Sequence, residues 1–342
     1  MAAIDTASFP QSEVPASMKI AFAVMVVVLV AAPLPPFQVS PVFLMKALCF
    51  ALFACAFNLL IGYGGLLSFG HAMFFGWASY VTAHLAKVGA ISLPYWAGAW
   101  HWLDIPLPPQ SPEIAILGGT LVAGVLGGFV GVVAIRRQGI YFAMITLALS
   151  QMMYFFVIQA KFTGGEDGIQ TVPRGRLIGI IDLSGSMAMY VFVVVVFLAA
   201  FVLIYRIVNS PFGEVLKAIR ENEPRAISLG YKTDRYKLVA FVLSATFAGL
   251  AGATKVLVFE LASLTDVHWT MSGDVLLMTL LGGLGTVFGP VVGAFIVISM
   301  QNYLAPFGQW VLVIQGVIFV ICVLLFRRGI VGEIARLLRI PL

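Results

Sequence analysis

The residues of this chain that could do chemistry are few, and they gather in four short stretches. Glycines, Ser68 and His71 interrupt an apolar run across residues 64–76. Gly282, Gly283, Gly285, Gly289 and Pro290 interrupt another across residues 282–293. Residues 206–237 hold 11 of the 35 charged residues (20 Lys+Arg and 15 Asp+Glu). Glu166 and Asp167 lie among glycines in residues 163–168. These residue types offer hydrogen bonds and charge.

The first two stretches suit a polar path through an apolar medium. Irregular backbone at membrane depth survives only where it lines a cavity or is buried in protein, and such breaks mark solute paths. A solute that keeps its charged groups needs partners, because burying them bare is costly. Free backbone N–H and C=O groups can supply these, helped by neutral Ser68 and His71. Ser68, Gly70, His71, Gly282, Gly283 and Gly285 are therefore the candidate path residues. Small-residue helix packing is the competing account, with His71 bonded to a neighbouring helix.

The third stretch has internal structure. Ser210-Pro211 reads as a helix start, with Ser as cap and Pro at the first helical position. Phe212, Val215, Leu216 and Ile219 then give one apolar helical face. Asn222 can cap a second, shorter helix through Pro224 and Arg225 to Leu229, ended by Gly230. Thr233 can cap the helix that follows. The predicted product is a charged helical hairpin over residues 209–237.

Other chemistries lack their residues. No Gly-x-x-x-x-Gly-Lys-Ser/Thr loop occurs, so ATP hydrolysis by this chain is not expected. No carboxylate lies mid-span in the helices assigned below, with Glu260 and Asp274 expected near the outer face; proton relays usually need such groups. No His/Cys cluster has metal-ligand spacing, and neither metal nor cofactor is expected. His84, His101 and His268 read as interfacial or loop residues. Cys49, Cys55 and Cys322 are odd in number and lie in apolar runs, so they read as small hydrophobes without disulfides.

The elements that must position these stretches are membrane helices. Hydrophobic residues make up 61% of the 342 and charged residues 10%, against about 25% charged in soluble domains. The expected spans are residues 19–32, 42–61, 66–86, 114–135, 140–160, 187–208, 238–258 and 308–326. Residues 1–17 read as a short cytoplasmic tail. Residues 273–304 are too long for one helix and too short for two full crossings of a core about 30 Å thick, which predicts a re-entrant half-helix followed by one full span. The fold class is all-α and polytopic, with about eight transmembrane helices plus the broken one, in a single domain across 1–342. Residues 87–112, with Trp96, Trp100 and Trp102, suit an interfacial outer loop. Residues 329–342 read as an interfacial helix. With both termini cytoplasmic, inner segments hold 14 of the 20 Lys+Arg, the bias that orients membrane proteins. The net charge of +5 follows from these loops and calls for no nucleic acid.

Three segments also carry a resemblance. Leu67-Ser-Phe-Gly-His-Ala-Met-Phe-Phe-Gly76, Thr163-Gly-Gly-Glu-Asp-Gly-Ile169 and Leu281-Gly-Gly-Leu-Gly-Thr-Val-Phe-Gly-Pro290 are similar to signature segments of branched-chain amino acid permeases of the LivM type. The hairpin, Gly213 to Gly230, resembles the loop by which permeases of ATP-binding-cassette importers engage their ATPases. The resemblance runs from about residue 52 to 303. It implies a bacterial inner-membrane permease subunit. Its expected partners are a homologous second permease, two cytoplasmic ATPases, a periplasmic amino-acid-binding protein and the lipid bilayer. On this reading Arg220, Glu221, Asn222, Glu223, Pro224 and Arg225 form the ATPase-coupling surface, and Glu166 and Asp167 meet the binding protein. The same fold serves urea and short-amide importers, and an ion-coupled secondary carrier is the alternative of a different class.

Overall fold

The computed structural model describes residues 16–34, 39–87, 90–96, 100–106, 110–308, 310–326 and 329–338. Helix α1 is Ala16–Ala31 and α2 is Pro41–Asn58, which runs on through a π-helical turn at Leu59–Tyr63. Helix α3 is His71–Lys87, α4 Pro112–Ala134, α5 Ile140–Gln159 and α6 Ser186–Val208. The charged stretch forms α7 (Pro211–Glu221) and α8 (Glu223–Ser228), and α9 follows at Thr233–Phe259. The chain then makes α10 (Trp269–Gly282), α11 (Gly289–Leu304), α12 (Trp310–Leu325) and α13 (Gly329–Leu338).

Helices α2 and α9 form the centre. A helix that is apolar on all sides sits in a core or spans a membrane, and here from Leu44 to Asn58 every residue of α2 except Lys46 is buried. Around this pair pack α3, α4, α6, α10 and α11. Close approach relies on small residues, as expected where no hydrophobic force drives helices together in lipid. At Gly252 of α9, for example, a Cβ would run into the Phe75 carbonyl of α3. The outer helices expose apolar side chains instead, such as Leu117, Leu121, Val125 and Phe129 on α4. Six helices among the described residues are long and apolar enough to cross a membrane.

The bundle has two distinct ends. At one, α7 and α8 lie beside Gln138, whose amide donates to Glu223 at 3.2 Å. The start of α1 belongs to this end, with Lys19 beside Tyr205, and so does Gly329, packed on Gly283. At the opposite end, Ile169–Gln170 pairs antiparallel with Leu261–Ala262. There Arg174 caps α9, donating to the carbonyls of Leu257 (3.2 Å) and Val258 (3.0 Å) and pairing with Glu260 (3.1 Å).

Several sequence expectations need correction. Residues 273–304 form two helices, and only the second, running on to Phe307, reaches the length and apolarity of a membrane span. Helices α10 and α11, of 14 and 16 residues, are about 21 and 24 Å long and form a hairpin. Its tip, residues 283–288, lies at the α7 end, and the chain returns to the opposite end before α12. This even count brings Gly329 back to the α7 end. The third span starts at His71 rather than residue 66, because residues 65–70 are irregular. Thr233 is the first helical residue of α9 and makes no side-chain cap. The outer loop contains an antiparallel hairpin, β1 (Ala90–Trp96) with β2 (Trp100–Pro106). The side chains of Trp96, Trp100, Trp102 and His101, and residues 1–15, 327–328 and 339–342, lie outside the described residues.

Candidate functional site

The two glycine-rich stretches meet. Asn58, at the end of α2 and 3% exposed, donates its amide N–H to the Thr286 carbonyl at 2.9 Å and accepts from the Gly285 N–H at 3.0 Å. That joins the tip of the α10–α11 hairpin to the helix leading into residues 64–70. Gly285 has φ +75°, and a Cβ there would press on the Gly62 carbonyl. The tip closes on itself through Thr286, whose hydroxyl donates to the Gly283 carbonyl and accepts from Gly289 N–H. Gly282 packs on Gly289 of α11, and Gly283 on Gly329 of α13.

The charged hairpin reaches the same junction. The Arg220 guanidinium on α7 donates to the Gly62 carbonyl, an acceptor available because the π-helical turn disrupts the regular bonding ladder. Leu216, fully buried, packs over Gly64. Arg220 thus points back toward the bundle. Ser210 and Asn222 cap α7 and α8 as expected, accepting from Gly213 N–H (3.4 Å) and Arg225 N–H (3.0 Å). Glu223 also faces inward, paired with Lys237 at 2.5 Å. Glu221, Pro224 and Arg225 are exposed, and so are the apolar Ile227 and Leu229. An exposed mix of charge and large apolar groups suits docking by a partner.

Ser68 and His71, expected on a path, lie inside the bundle and are completely buried. The His71 ring packs edge-on against Phe57, Phe74 and Phe241, at centroid distances of 5.1–5.8 Å. Its Nε2 lies 2.8 Å from Ser244 Oγ. The Ser244 hydroxyl donates its proton to the Ala56 carbonyl, so His71 must donate from Nε2. Three N–H groups in and beside the break are satisfied by side chains, two of them from other helices. Thr146 of α5 accepts from Phe69 N–H, Ser68 from Gly70 N–H, and Ser272 of α10 from Ala72 N–H. The His71 side chain thus meets other helices of the chain, while that of Ser68 bonds within the break.

Glu166 and Asp167 are exposed at the opposite end. Thr163 anchors their loop by donating to the Val157 and Ala160 carbonyls, both at 2.6 Å. Among the described residues no group of His, Cys, Asp and Glu could hold a metal ion. Sequence reasoning missed Asn58, although an amide inside the apolar run 42–61 was a visible signal. It also missed Thr146, Ser244 and Ser272, because a lone hydroxyl in an apolar helix has no distinctive pattern.

A bundle of membrane-length helices, two broken segments and a capped hairpin tied to both define a polytopic membrane permease. The chain belongs to the family described as branched-chain amino acid transport system / permease component, which matches residues 42–324. It is 24% identical over 297 residues to the high-affinity branched-chain amino acid transport system permease protein LivM of Salmonella typhimurium, covering 80% of this chain and 65% of that protein. The chain thus spans about two thirds of the length of the relatives it matches most extensively. It is 29% identical over 184 residues to the probable branched-chain amino acid transport permease protein LivM of Methanocaldococcus jannaschii, covering 51% of each. Over 179 residues it is 29% identical to the ribose import permease protein RbsC of Bacillus subtilis, covering 48% of this chain and 51% of that one. No solved structure matches the chain.

Proposed function

We propose that this chain is one membrane-spanning subunit of an ATP-binding-cassette importer for branched-chain or other apolar amino acids in a bacterial inner membrane. It works with a homologous second permease, two cytoplasmic ATPases and a periplasmic binding protein. One observation carries the reading: the α7–α8 hairpin is bonded through Arg220 to Gly62, where both broken segments meet. Motion imposed on the hairpin would be felt at both breaks at once. Glu221, Pro224 and Arg225, with Ile227 and Leu229, form the ATPase-facing surface, while Asn222, Arg220 and Glu223 hold the hairpin in shape.

The solute path runs beside the α10–α11 hairpin, with Gly282, Gly283 and Gly285 at its inner end. Ser68, Gly70 and His71 shape the adjoining break. The α7 end, with Lys19, Arg136, Arg137 and the basic hairpin, faces the cytoplasm, as do both termini. Glu166 and Asp167 then face the periplasm and meet the binding protein. The whole chain acts as one permease domain.

The test is uptake into vesicles carrying the complete transporter. Leucine, isoleucine or valine uptake should need internal ATP and survive collapse of the proton gradient. Uptake driven by the gradient without ATP would instead establish a secondary carrier, and uptake of urea alone would establish a short-amide importer.

A further inference from the structure

At the end opposite the charged hairpin, α2, α9, α10 and α11 line an open cavity of about 340 Å³, within the range of small-molecule sites. Its lining is unusual for so apolar a chain. Lys46 projects into it from α2, Asp274 from α10, and Gln301 from α11. Neither Lys46 nor Asp274 has an ion-pair partner among the described residues, although both are only part-exposed. A third charge, Lys255 of α9, is already neutralised by Asp266 at 2.6 Å, in a pair that is almost wholly buried. Asp266 is held in turn by the Ser263 N–H at 3.2 Å.

The unpaired groups decide what the cavity suits. Unpaired, part-buried charges that line a cavity of a membrane protein are costly and mark a solute site by default. Here one cation and one anion are left over, and apolar Phe50, Phe259 and Met271 line the rest. A solute with one carboxylate, one ammonium and an apolar body would satisfy both charges and bury its side chain. A neutral solute such as a sugar or urea would leave both unpaired, and a lone anion or cation would leave one. The Lys255–Asp266 pair adds no net charge, so the balance is that of a zwitterion.

We propose that this cavity receives the transported amino acid as it leaves the binding protein. Lys46 takes its carboxylate, Asp274 its ammonium, and Phe50, Phe259 and Met271 its side chain. The proposal rests on the amino-acid import reading above and adds where the molecule is first held.

The experiment uses the complete transporter in vesicles with internal ATP and saturating leucine-loaded binding protein. Wild-type uptake is measured first; if none of leucine, isoleucine and valine enters, the import reading fails and takes this one with it. Given wild-type uptake, Lys46→Met and Asp274→Asn should each lower the leucine rate about tenfold or more, equivalent to ~1.4 kcal/mol of lost stabilisation. Binding-protein-stimulated ATPase activity should stay within about twofold, since only solute contacts are removed. Lys46→Arg and Asp274→Glu keep the charges and should restore most of the rate. Unchanged uptake in Lys46→Met and Asp274→Asn overturns the proposal. So does a parallel loss of uptake and ATPase stimulation, which is the mark of a structural role.

Discussion

Asn58→Leu is the sharpest probe of the junction between the two broken segments. Leucine keeps the branching of asparagine but supplies neither hydrogen bond, so the Gly285 N–H and the Thr286 carbonyl lose their partner. Each buried polar group left unpaired costs about 1–3 kcal/mol, giving about 2–6 for both. Gly285 and Thr286 are only half-buried, and water can reach part of the gap, which favours the lower end, about 2–3 kcal/mol. Thermal melting of the purified complex reads this out. At the roughly 2 °C per kcal/mol typical of larger domains, Tm should fall by about 4–6 °C. Arg220→Met removes the third tie to the same junction. Its exposed guanidinium contributes less, about 1 kcal/mol. Because the two residues share Gly62 and Gly285 as neighbours, the double variant should depart from additivity by about 0.5 kcal/mol or more. A Tm within about 1 °C of wild type for Asn58→Leu, or strict additivity, would refute the idea of a shared junction.

Four further outcomes are expected. Glu221→Lys or Arg225→Glu should leave the protein inserted while separating uptake from ATP hydrolysis; normal transport with normal ATPase stimulation in both would discard the coupling surface. Neutralising Glu166 and Asp167 together should weaken stimulation by the binding protein, most strongly at low salt where exposed charges reach further; a response unchanged at every ionic strength argues against the contact. His71→Ala removes a ring packed among three phenylalanines and should cost about 3 kcal/mol, near the low end for large aromatic truncations, with assembly lost before uptake. Normal melting with abolished uptake would return His71 to the path. Gly293→Ala would drive a Cβ into the Met278 carbonyl and part α10 from α11; the yield of monodisperse protein should collapse, while Gly273→Ala, with open space around it, should behave as wild type.

Much of this protein was decided by local chemistry and is legible in the chain. Membrane helices announce themselves through long apolar runs, because within one apolar segment only a helix satisfies the backbone hydrogen bonds in lipid. The hairpin was readable for a similar reason: Ser210, Asn222 and the spacing of Phe212, Leu216 and Ile219 act within a few residues of one another, and the caps formed as those residues dictate. The fate of the breaks could not be read that way. His71 looks alike on a path or in a core, and only the arrival of Phe57, Phe241 and Ser244 from other helices buries its ring. The division of residues 273–304 depended on the tip of α10–α11 finding Asn58, 227 residues away from Gly285. Lys46 and Asp274 likewise become a pair of unmatched charges only when α2 and α10 line one cavity. Periodicity and capping are local and survive in one dimension; partner choice among buried polar groups is settled by which helices pack together, and that information belongs to the fold.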